Sequence, residues 1–345
     1  MQRSVNRSRA VALAAVLGAF SSAATRPALA SGGVSPPNLP VLVDAAADLA
    51  ARAERPNESW YVIAHVVAGG HRYHFLVHYL TSGDATHGVA SSDVSITDET
   101  TGRYMRSELL LPARGGLSQA QGIDIHTDNV SWTGDAAQMT LQAKLPEGQL
   151  EVTLRPRGPV LYNMGTGYFP MFADASYGNY EYGLPAMETT GTLTIDGRAL
   201  VLEGISWLDH QWGPLPDFTT ARAGWTWLGV SLSNGSRISL WKTKYNTTTT
   251  WATVLAPDGT HVIAAATLTP SSAGTWTSPE SHLTYPTHWT ITIPGLATTL
   301  KVTAAASNQE LLLPMPRLEG AAAVTGTSEG RPVIGSSYVE VAGPQ

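Results

Sequence analysis

The chain of 345 residues is long enough for two domains, and its composition is that of a globular protein with a hydrophobic core. It contains no cysteine, which excludes disulfides, thiolate metal sites and cysteine nucleophiles. The formal net charge of −6 argues against nucleic acid and anionic membranes as partners.

The first thirty residues have the three parts of a secretory signal. Arg3, Arg7 and Arg9 precede the apolar run VALAAVLGAFSSAA, and PALA (27–30) supplies a small-residue cleavage site. The run is shorter than the roughly 20 residues of a membrane-spanning helix. We therefore expect cleavage after Ala30 and a secreted or extracytoplasmic protein without stable membrane insertion. A flexible extension on a cytoplasmic protein is the alternative. Cleavage removes four arginines and no acidic residue, which moves the formal net charge to −10.

The next segment, residues 31–56, is predicted to be a linker followed by a short helix. The sequence SGGVSPPNLP (31–40) is rich in Gly, Pro and Ser. The sequence VLVDAAADLAARAER (41–55) has Asp44 near its start and basic residues near its end, and Pro56 follows as a stop.

From Trp60 onward, short runs alternate between apolar and polar residues, as half-buried strands do. Turn signals separate pairs of these runs at Ala68-Gly69-Gly70, Asp196-Gly197, Asn234-Gly235 and Asp258-Gly259. This pattern predicts an all-β protein built from antiparallel barrels or sandwiches. Because two prolines in GPLP (213–216) cannot continue a central strand, we place the domain boundary there, between domains 57–215 and 216–345.

The stretch GISWLDHQWG (204–213) is the strongest candidate site. In a strand, Trp207, Asp209 and Gln211 would lie on one face, and Leu208, His210 and Trp212 on the other. A carboxyl beside an indole can have a raised pKa and act as a general acid or base on a hydrophobic ligand. The alternative is structural: Asp209 or His210 satisfies backbone groups while the indoles fill the core.

Further aromatic residues could surround such a ligand, although each alone is more typical of core. An eight-stranded barrel is just wide enough to enclose one small molecule. The candidates for substrate binding are Glu58, Trp60, Tyr61, Tyr79, Trp207, Trp212, Trp225, Trp227 and Trp241.

Sharper chemical motifs are not supported. His74 and His78 would lie roughly 13 Å apart in a strand, too far to share a metal ion. The G-x-S-x-G match at 326–330 is followed by a strand-like rather than a helical segment, so we expect a turn. The sequence contains no zincin, P-loop or complete dinucleotide motif, and we predict no metal and no cofactor.

Several motifs in order resemble the two-domain lipocalin-like family of AttH and the carotenoid 1,2-hydratases, which includes lipocalin-like Diels–Alderases. They run along the whole mature chain: ESWY (58–61), YEYGLPAMETTGTLTIDG (180–197), WLDHQWG (207–213), WTW (225–227), LTYPTHWTITIP (283–294), LEGA (318–321) and YVEVAG (338–343). The resemblance implies two tandem lipocalin-like β-barrel domains with the ligand in or between them. Three positions depart from the family pattern: Ser59 and Leu318 each replace a tryptophan, and Pro344 replaces a tyrosine.

The resemblance leaves three functions open, with Asp209 and His210 as the catalytic candidates. The first is a Diels–Alderase-type cyclase that folds a hydrophobic polyene or polyketide-like substrate in an aromatic cavity. The second is a hydratase-like lyase acting on a carotenoid or other isoprenoid, in which Asp209 protonates carbon. The third is a non-catalytic carrier of a hydrophobic molecule. The sequence does not determine the ligand or the oligomeric state.

Overall fold

The computed structural model of the protein describes residues 42–55, 57–83, 88–118, 120–216, 218, 222–272 and 274–343. These residues belong to one compact unit, Val41–Gln345. The predicted signal peptide (1–30) and the linker (31–40) lie outside the described residues and stay predictions. In the described part of the chain, no helix is long and apolar enough to cross a membrane.

The first antiparallel sheet takes up the N-terminal part of the chain. Its strands are β1 (Glu58–Ala68), β2 (His71–Ser82), β3 (Val89–Asp98), β4 (Arg103–Pro112), β5 (Ile123–His126), β6 (Val130–Gly134), β7 (Met139–Leu145), β8 (Gly148–Pro156), β9 (Leu161–Tyr162), β10 (Tyr168–Pro170), β11 (Gly178–Ile195) and β12 (Arg198–Trp212). The spatial order is β4-β3-β2-β1-β12-β11-β8-β7-β6-β5, with β9 and β10 paired to β11. Asn129, in the turn after β5, donates its side-chain amide to the carbonyls of Ser92 on β3 (3.0 Å) and Ser107 on β4 (3.3 Å). The two ends of the sheet therefore meet, and the sheet curls toward a barrel.

The second antiparallel sheet takes up the C-terminal part. Its strands are β13 (Gly224–Leu232), β14 (Arg237–Lys244), β15 (Thr248–Leu255), β16 (His261–Ala265), β17 (Thr267–Pro270), β20 (His288–Ile293), β21 (Thr298–Ala304), β22 (Glu310–Leu311), β23 (Arg317–Ser328) and β24 (Arg331–Ala342), while β18 (Thr275–Thr277) and β19 (Thr284–Pro286) pair separately. The order is β16-β15-β14-β13-β24-β23-β21-β20-β17, with β22 on β23. The described residues also contain 3₁₀ helices at Asn163–Gly165, Met171–Ala173, Ala175–Tyr177 and Pro294–Leu296.

This architecture confirms the prediction of an all-β chain with two tandem lipocalin-like barrels. The four predicted hairpins form at the predicted turns. At Asp196-Gly197 both residues have positive φ, 51° and 77°, as a two-residue hairpin turn requires. The segment 326–330 is likewise the end of a hairpin. The boundary between residues 215 and 216 falls between β12 and β13 and stays a prediction.

The helix predicted over 41–55 is wrong, because the described residues of this segment form turns. A single helical hydrogen bond, from the Asp48 amide to the Asp44 carbonyl, closes a first turn at 2.7 Å. The Leu49 carbonyl accepts a hydrogen bond from the buried Trp60 indole at 2.9 Å instead of from a following amide. Leu49 is fully buried in the first barrel. Burial of this side chain therefore overrides the helical preference of the alanine-rich segment.

Three buried apolar clusters result from this arrangement. One fills the first barrel, with Trp60, Trp132 and Tyr79 among its largest side chains, and a second fills the second barrel. The third, which we call the seam cluster, lies between the barrels and contains Tyr61, Ile63, Leu76, Leu161, Phe169, Met171, Phe172, Trp207, Ala223, Trp227, Trp241, Trp251, Leu255, Leu311, Ala321 and Tyr338. The central strands are consequently buried on both faces.

Candidate active site

A cavity of about 150 Å³ opens within the seam. Polar and aromatic side chains from both barrels line it, and partly exposed residues such as Leu80, Leu215 and Met315 surround its mouth. The walls follow from strand register, because directly paired residues on neighbouring strands share one face of the sheet.

One row of the cavity wall consists of four paired residues, one on each of four neighbouring strands of the first sheet. Tyr61 on β1 pairs with His78 on β2 and with Asp209 on β12, and Asp209 in turn pairs with Gly183 on β11. A register irregularity follows at once in β11, between Leu184 and Met187. Such bulges commonly reorient side chains beside functional sites.

A second row of paired residues lies two positions further along the same four strands, so its side chains point to the same face of the sheet. Ser59 on β1 pairs with Leu80 on β2 and with Gln211 on β12, which pairs with Glu181 on β11. Asp209 and Glu181 are therefore diagonal neighbours, whose Cα atoms are typically about 7–8 Å apart.

The facing wall comes from the second sheet. Trp227 on β13 pairs with Trp241 on β14 and with Glu340 on β24, which pairs with Glu319 on β23. Tyr61 packs edge-on against Trp227 with ring centroids 5.6 Å apart. Its hydroxyl donates to Glu319 Oε2 at 2.7 Å, which ties the two walls together.

Asp209 is the acid most specifically built into this cavity. Its Oδ1 accepts a hydrogen bond from Trp207 Nε1 at 2.6 Å. Burial raises its pKa to about 8; the indole hydrogen bond opposes this rise and the nearby Glu340 adds to it. A Cβ atom at Gly183 would lie 2.5 Å from Asp209 Oδ1, so the glycine leaves the space that the carboxyl occupies.

Two further carboxyls face the same space. Burial raises the pKa of Glu181 well above its ordinary value, and Asp209 adds to the effect. Burial also raises the pKa of Glu340, while Arg317 and the Trp225 indole oppose the rise. Asp209, with a pKa of about 8, is thus an uncharged acid at neutral pH, in keeping with the apolar aromatic walls of the cavity.

An ion-pair network is centred on Arg317, which lines the cavity. The Arg317 guanidinium donates to Asp93 Oδ2 at 2.7 Å and to Glu319 Oε1 at 3.0 Å. All three side chains are buried, and Asp93 lies on β3 directly beside His78. This network fixes the position of one positive charge beside the acidic groups.

The predicted site residues divide into two sets. The residues that line the cavity are Glu58, Tyr61, Asp209, Trp212, Trp225, Trp227 and Trp241, of which Glu58 and Trp212 direct their side chains to the barrel face beside His210. Trp207 contacts the cavity through Asp209. The other three, Trp60, Tyr79 and His210, lie inside the first barrel.

His210 follows Asp209 in the chain but points to the opposite face. Its ring is fully buried and stacks on Trp60 with centroids 4.5 Å apart. Its Nε2 atom lies 3.4 Å from Glu58 Oε1. Although burial acts in the opposite direction, His210 and Arg55 lower the pKa of Glu58, so this carboxylate is held as part of a structural network.

Sequence reasoning did not include several lining residues, namely Ser59, His78, Glu181, Gln211, Arg317 and Glu340. A usable signal exists for two of them. Glu181 stands between two tyrosines and Glu340 between two valines. A carboxyl in the middle of an apolar strand is costly unless the fold accommodates it.

Among the residues that the structure describes, no three His, Asp or Glu side chains are grouped so as to hold a metal ion. His74 bonds to Glu99 at 3.1 Å, whereas His78 faces the cavity, so the two histidines have separate partners.

The fold and site define a protein of two tandem β-barrels with an acidic, aromatic cavity between them. The AttH-like family matches residues 36–344, and the chain belongs to this family. It is similar to the dehydratase asqC of Emericella nidulans, at 25% identity over 293 residues that cover 79% of each protein.

Two solved structures share the fold. Kievitone hydratase from Nectria haematococca matches with a TM-score of 0.77 and 21% identity, covering 88% of this chain and 94% of that one. An AttH protein from Nitrosomonas europaea also has a TM-score of 0.77 and 21% identity, and the match covers 90% of this chain and 99% of that one.

Proposed function

We propose that the protein is a lyase that removes water from, or adds water to, a hydrophobic small molecule bound in the seam cavity. The observation that carries this proposal is Asp209, a buried acid bonded to Trp207 at 2.6 Å and open to an aromatic cavity. The relatives support the same reaction class, because one is named a dehydratase and another a hydratase.

The carboxyls supply an acid and a base. Burial gives Asp209 a pKa of about 8, which keeps it protonated at neutral pH. Burial also raises the pKa of Glu340, but Arg317 and Trp225 favour its charged form. Neighbouring carboxyls whose environments separate their pKa values are suited to opposite roles. We assign Asp209 as the acid and Glu340 as the base.

In the direction of water removal, Asp209 donates its proton to the leaving hydroxyl, the C–O bond breaks, and water departs. The Glu340 carboxylate takes a proton from the neighbouring carbon, and the C–H electron pair becomes the new C=C bond. The hydrogen bond from Trp207 stabilises the Asp209 carboxylate that forms. A proton passing from Glu340 back to Asp209 restores the starting state, and addition of water follows the same steps in reverse.

The cyclase predicted from the sequence is the second candidate, favoured by the aromatic wall of Trp225, Trp227 and Trp241. Such a wall can hold a flexible chain in a folded conformation, which supplies much of what a pericyclic step needs. In that case Asp209 would serve only as a hydrogen-bonding group.

The test is to incubate the protein and its Asp209→Asn variant with a lipophilic extract of the producing organism in isotopically labelled water. We expect compounds that gain a labelled water or lose water with the wild type, and no such change with the variant. Glu203→Gln, an exposed change on the same strand, is the matched control.

A product of unchanged mass but altered chromatographic retention, formed by both proteins, would instead favour the cyclase. Retention of a compound without chemical change in either protein would leave the carrier.

A further inference from the structure

A serine, a histidine and an arginine form a chain of polar contacts into the seam cavity, separate from the acid and the base. Ser59 Oγ lies 2.8 Å from His78 Nε2. On the other side of the ring, His78 Nδ1 lies 3.5 Å from Arg317 Nη2. Arg317 itself is fixed by Asp93 and Glu319.

The chain has a defined direction. A guanidinium carries only donors, so the nitrogen that faces Arg317 has to accept. Burial, assisted by Arg317, lowers the pKa of His78 well below its ordinary value, so the ring is neutral and carries one proton. Glu319 Oε1, at 4.0 Å from Nδ1, is beyond hydrogen-bonding distance and already accepts from Arg317. The ring proton is therefore assigned to Nε2, which donates to Ser59.

This direction determines what Ser59 can do. With its oxygen accepting from His78, its own hydroxyl proton has to point elsewhere. Within the described parts of the chain, Ser59 has no second hydrogen-bond partner, and it lines the cavity. Its hydroxyl is thus a donor directed toward the ligand space.

We propose that Ser59 donates a hydrogen bond to a neutral carbonyl oxygen of the substrate, and that His78 and Arg317 are positioning residues for this donor. The substrate class is then a ketone or ester rather than a pure hydrocarbon. A carboxylate is disfavoured because the proposed base, the Glu340 carboxylate, lines the same cavity, and because Arg317 is already paired with Asp93 and Glu319.

The location of the Ser59 hydroxyl suits the proposed function. The inference rests on that function in taking the seam cavity as the place where the ligand binds. Ser59 lies one row from Asp209 on the same face of the sheet. A carbonyl held there would be polarised, which makes the neighbouring C–H more acidic and assists its removal by Glu340.

The experiment compares two probes that differ only in the carbonyl, acetophenone and ethylbenzene. A cavity of about 150 Å³ in another protein holds benzene, so rings of this size are suitable probes. We measure affinity by tryptophan fluorescence and the carbonyl stretch of bound acetophenone by infrared spectroscopy. The wild type should bind acetophenone more tightly and shift its carbonyl stretch to lower frequency.

Ser59→Ala should weaken acetophenone binding about 2- to 10-fold and abolish the infrared shift, while ethylbenzene binding stays unchanged. Ser131→Ala is the control, because it removes a serine that contacts His126 at 3.1 Å on the exposed side of the first barrel. Equal effects of Ser59→Ala on both probes, or no carbonyl preference in the wild type, would overturn the inference.

A second measurement does not depend on any variant. Nitrogen NMR of His78 should show the proton on Nε2, and a proton on Nδ1 would overturn the inference. Asp209→Asn should keep the carbonyl preference. Loss of turnover in that variant without a selective effect of Ser59→Ala would reject only this inference. Unchanged turnover in Asp209→Asn together with a selective effect of Ser59→Ala on acetophenone would reject only the proposed function.

Discussion

Strand β12 contributes different kinds of side chain to the interior of the first barrel and to the seam between the barrels. On β12, His210 enters the barrel, where it stacks on Trp60 and is fully buried. The preceding residue, Asp209, faces the seam and lines its cavity. Two consecutive residues thus have different roles: the side chain of His210 packs in the core, and that of Asp209 faces the space for a ligand.

This contrast shows where a barrel of this type can place chemistry. Small barrels hold ligands inside only when side chains leave room. Here Trp60, Trp132 and Tyr79 occupy the first interior. The outer faces of the central strands, which the second barrel covers, provide the enclosed space instead.

The strongest test of the contrast is Asp209→Asn. We expect turnover to fall about 10²- to 10⁴-fold, as for loss of a general acid, while acetophenone still binds. Single-turnover kinetics by mass spectrometry would measure this. An unchanged rate would show that the acid acts elsewhere.

His210→Ala should affect folding rather than chemistry. Removal of the stacked ring leaves a cavity and takes away a partner of Glu58, so we expect a loss of about 3 kcal/mol in the free energy of unfolding. Urea denaturation measures this change, and His126→Ala on the barrel surface is the control. A stable but inactive His210→Ala variant would instead place His210 in the reaction.

Gly183→Ala should displace the Asp209 carboxyl from Trp207 without removing it. We expect turnover to fall about 10- to 100-fold, because small misplacements of a reacting group are costly. Loss of the Trp207 hydrogen bond should also move the alkaline limb of the pH profile to higher pH, which a general folding defect would not do. Gly295→Ala, where an added Cβ meets open space, is the control.

The pH dependence should follow Asp209. Because the acid has to be protonated and its pKa is about 8, turnover should fall about tenfold per unit above that pH. The raised pKa also means that its contribution to stability is present below about pH 4 and is lost as the pH rises to about 8. Unfolding free energies of the wild type and Asp209→Asn across this range should diverge accordingly, and parallel curves would contradict the assignment.

Tyr79→Phe should have the smallest effect. The Tyr79 hydroxyl donates to the Gly115 carbonyl at 2.9 Å inside the first barrel. Its loss should cost about 1 kcal/mol of stability and leave acetophenone affinity unchanged. Weaker ligand binding would mean that the barrel interior, and not only the seam, contacts ligand.

The sequence by itself determined the strand pattern, the hairpin turns and the family. These features depend on local periodicity and on residues that tolerate positive φ, such as Asp196-Gly197. The alternation within 207–212 also predicted that Asp209 and His210 would face opposite sides. The helix over 41–55 failed because its outcome depended on burial of Leu49 in the core of the first barrel.

Only the tertiary structure decided which face of β12 borders a cavity. Glu181 is a neighbour of Asp209 within the first sheet, whereas Arg317 and Glu340 are far from Asp209 in sequence and join it only when the two barrels pack together. Strand periodicity fixes which side chains share a face, but it carries no information about what covers that face. The base Glu340, and the Arg317 that orients His78, thus reach the site through contacts between sheets, which no local pattern encodes.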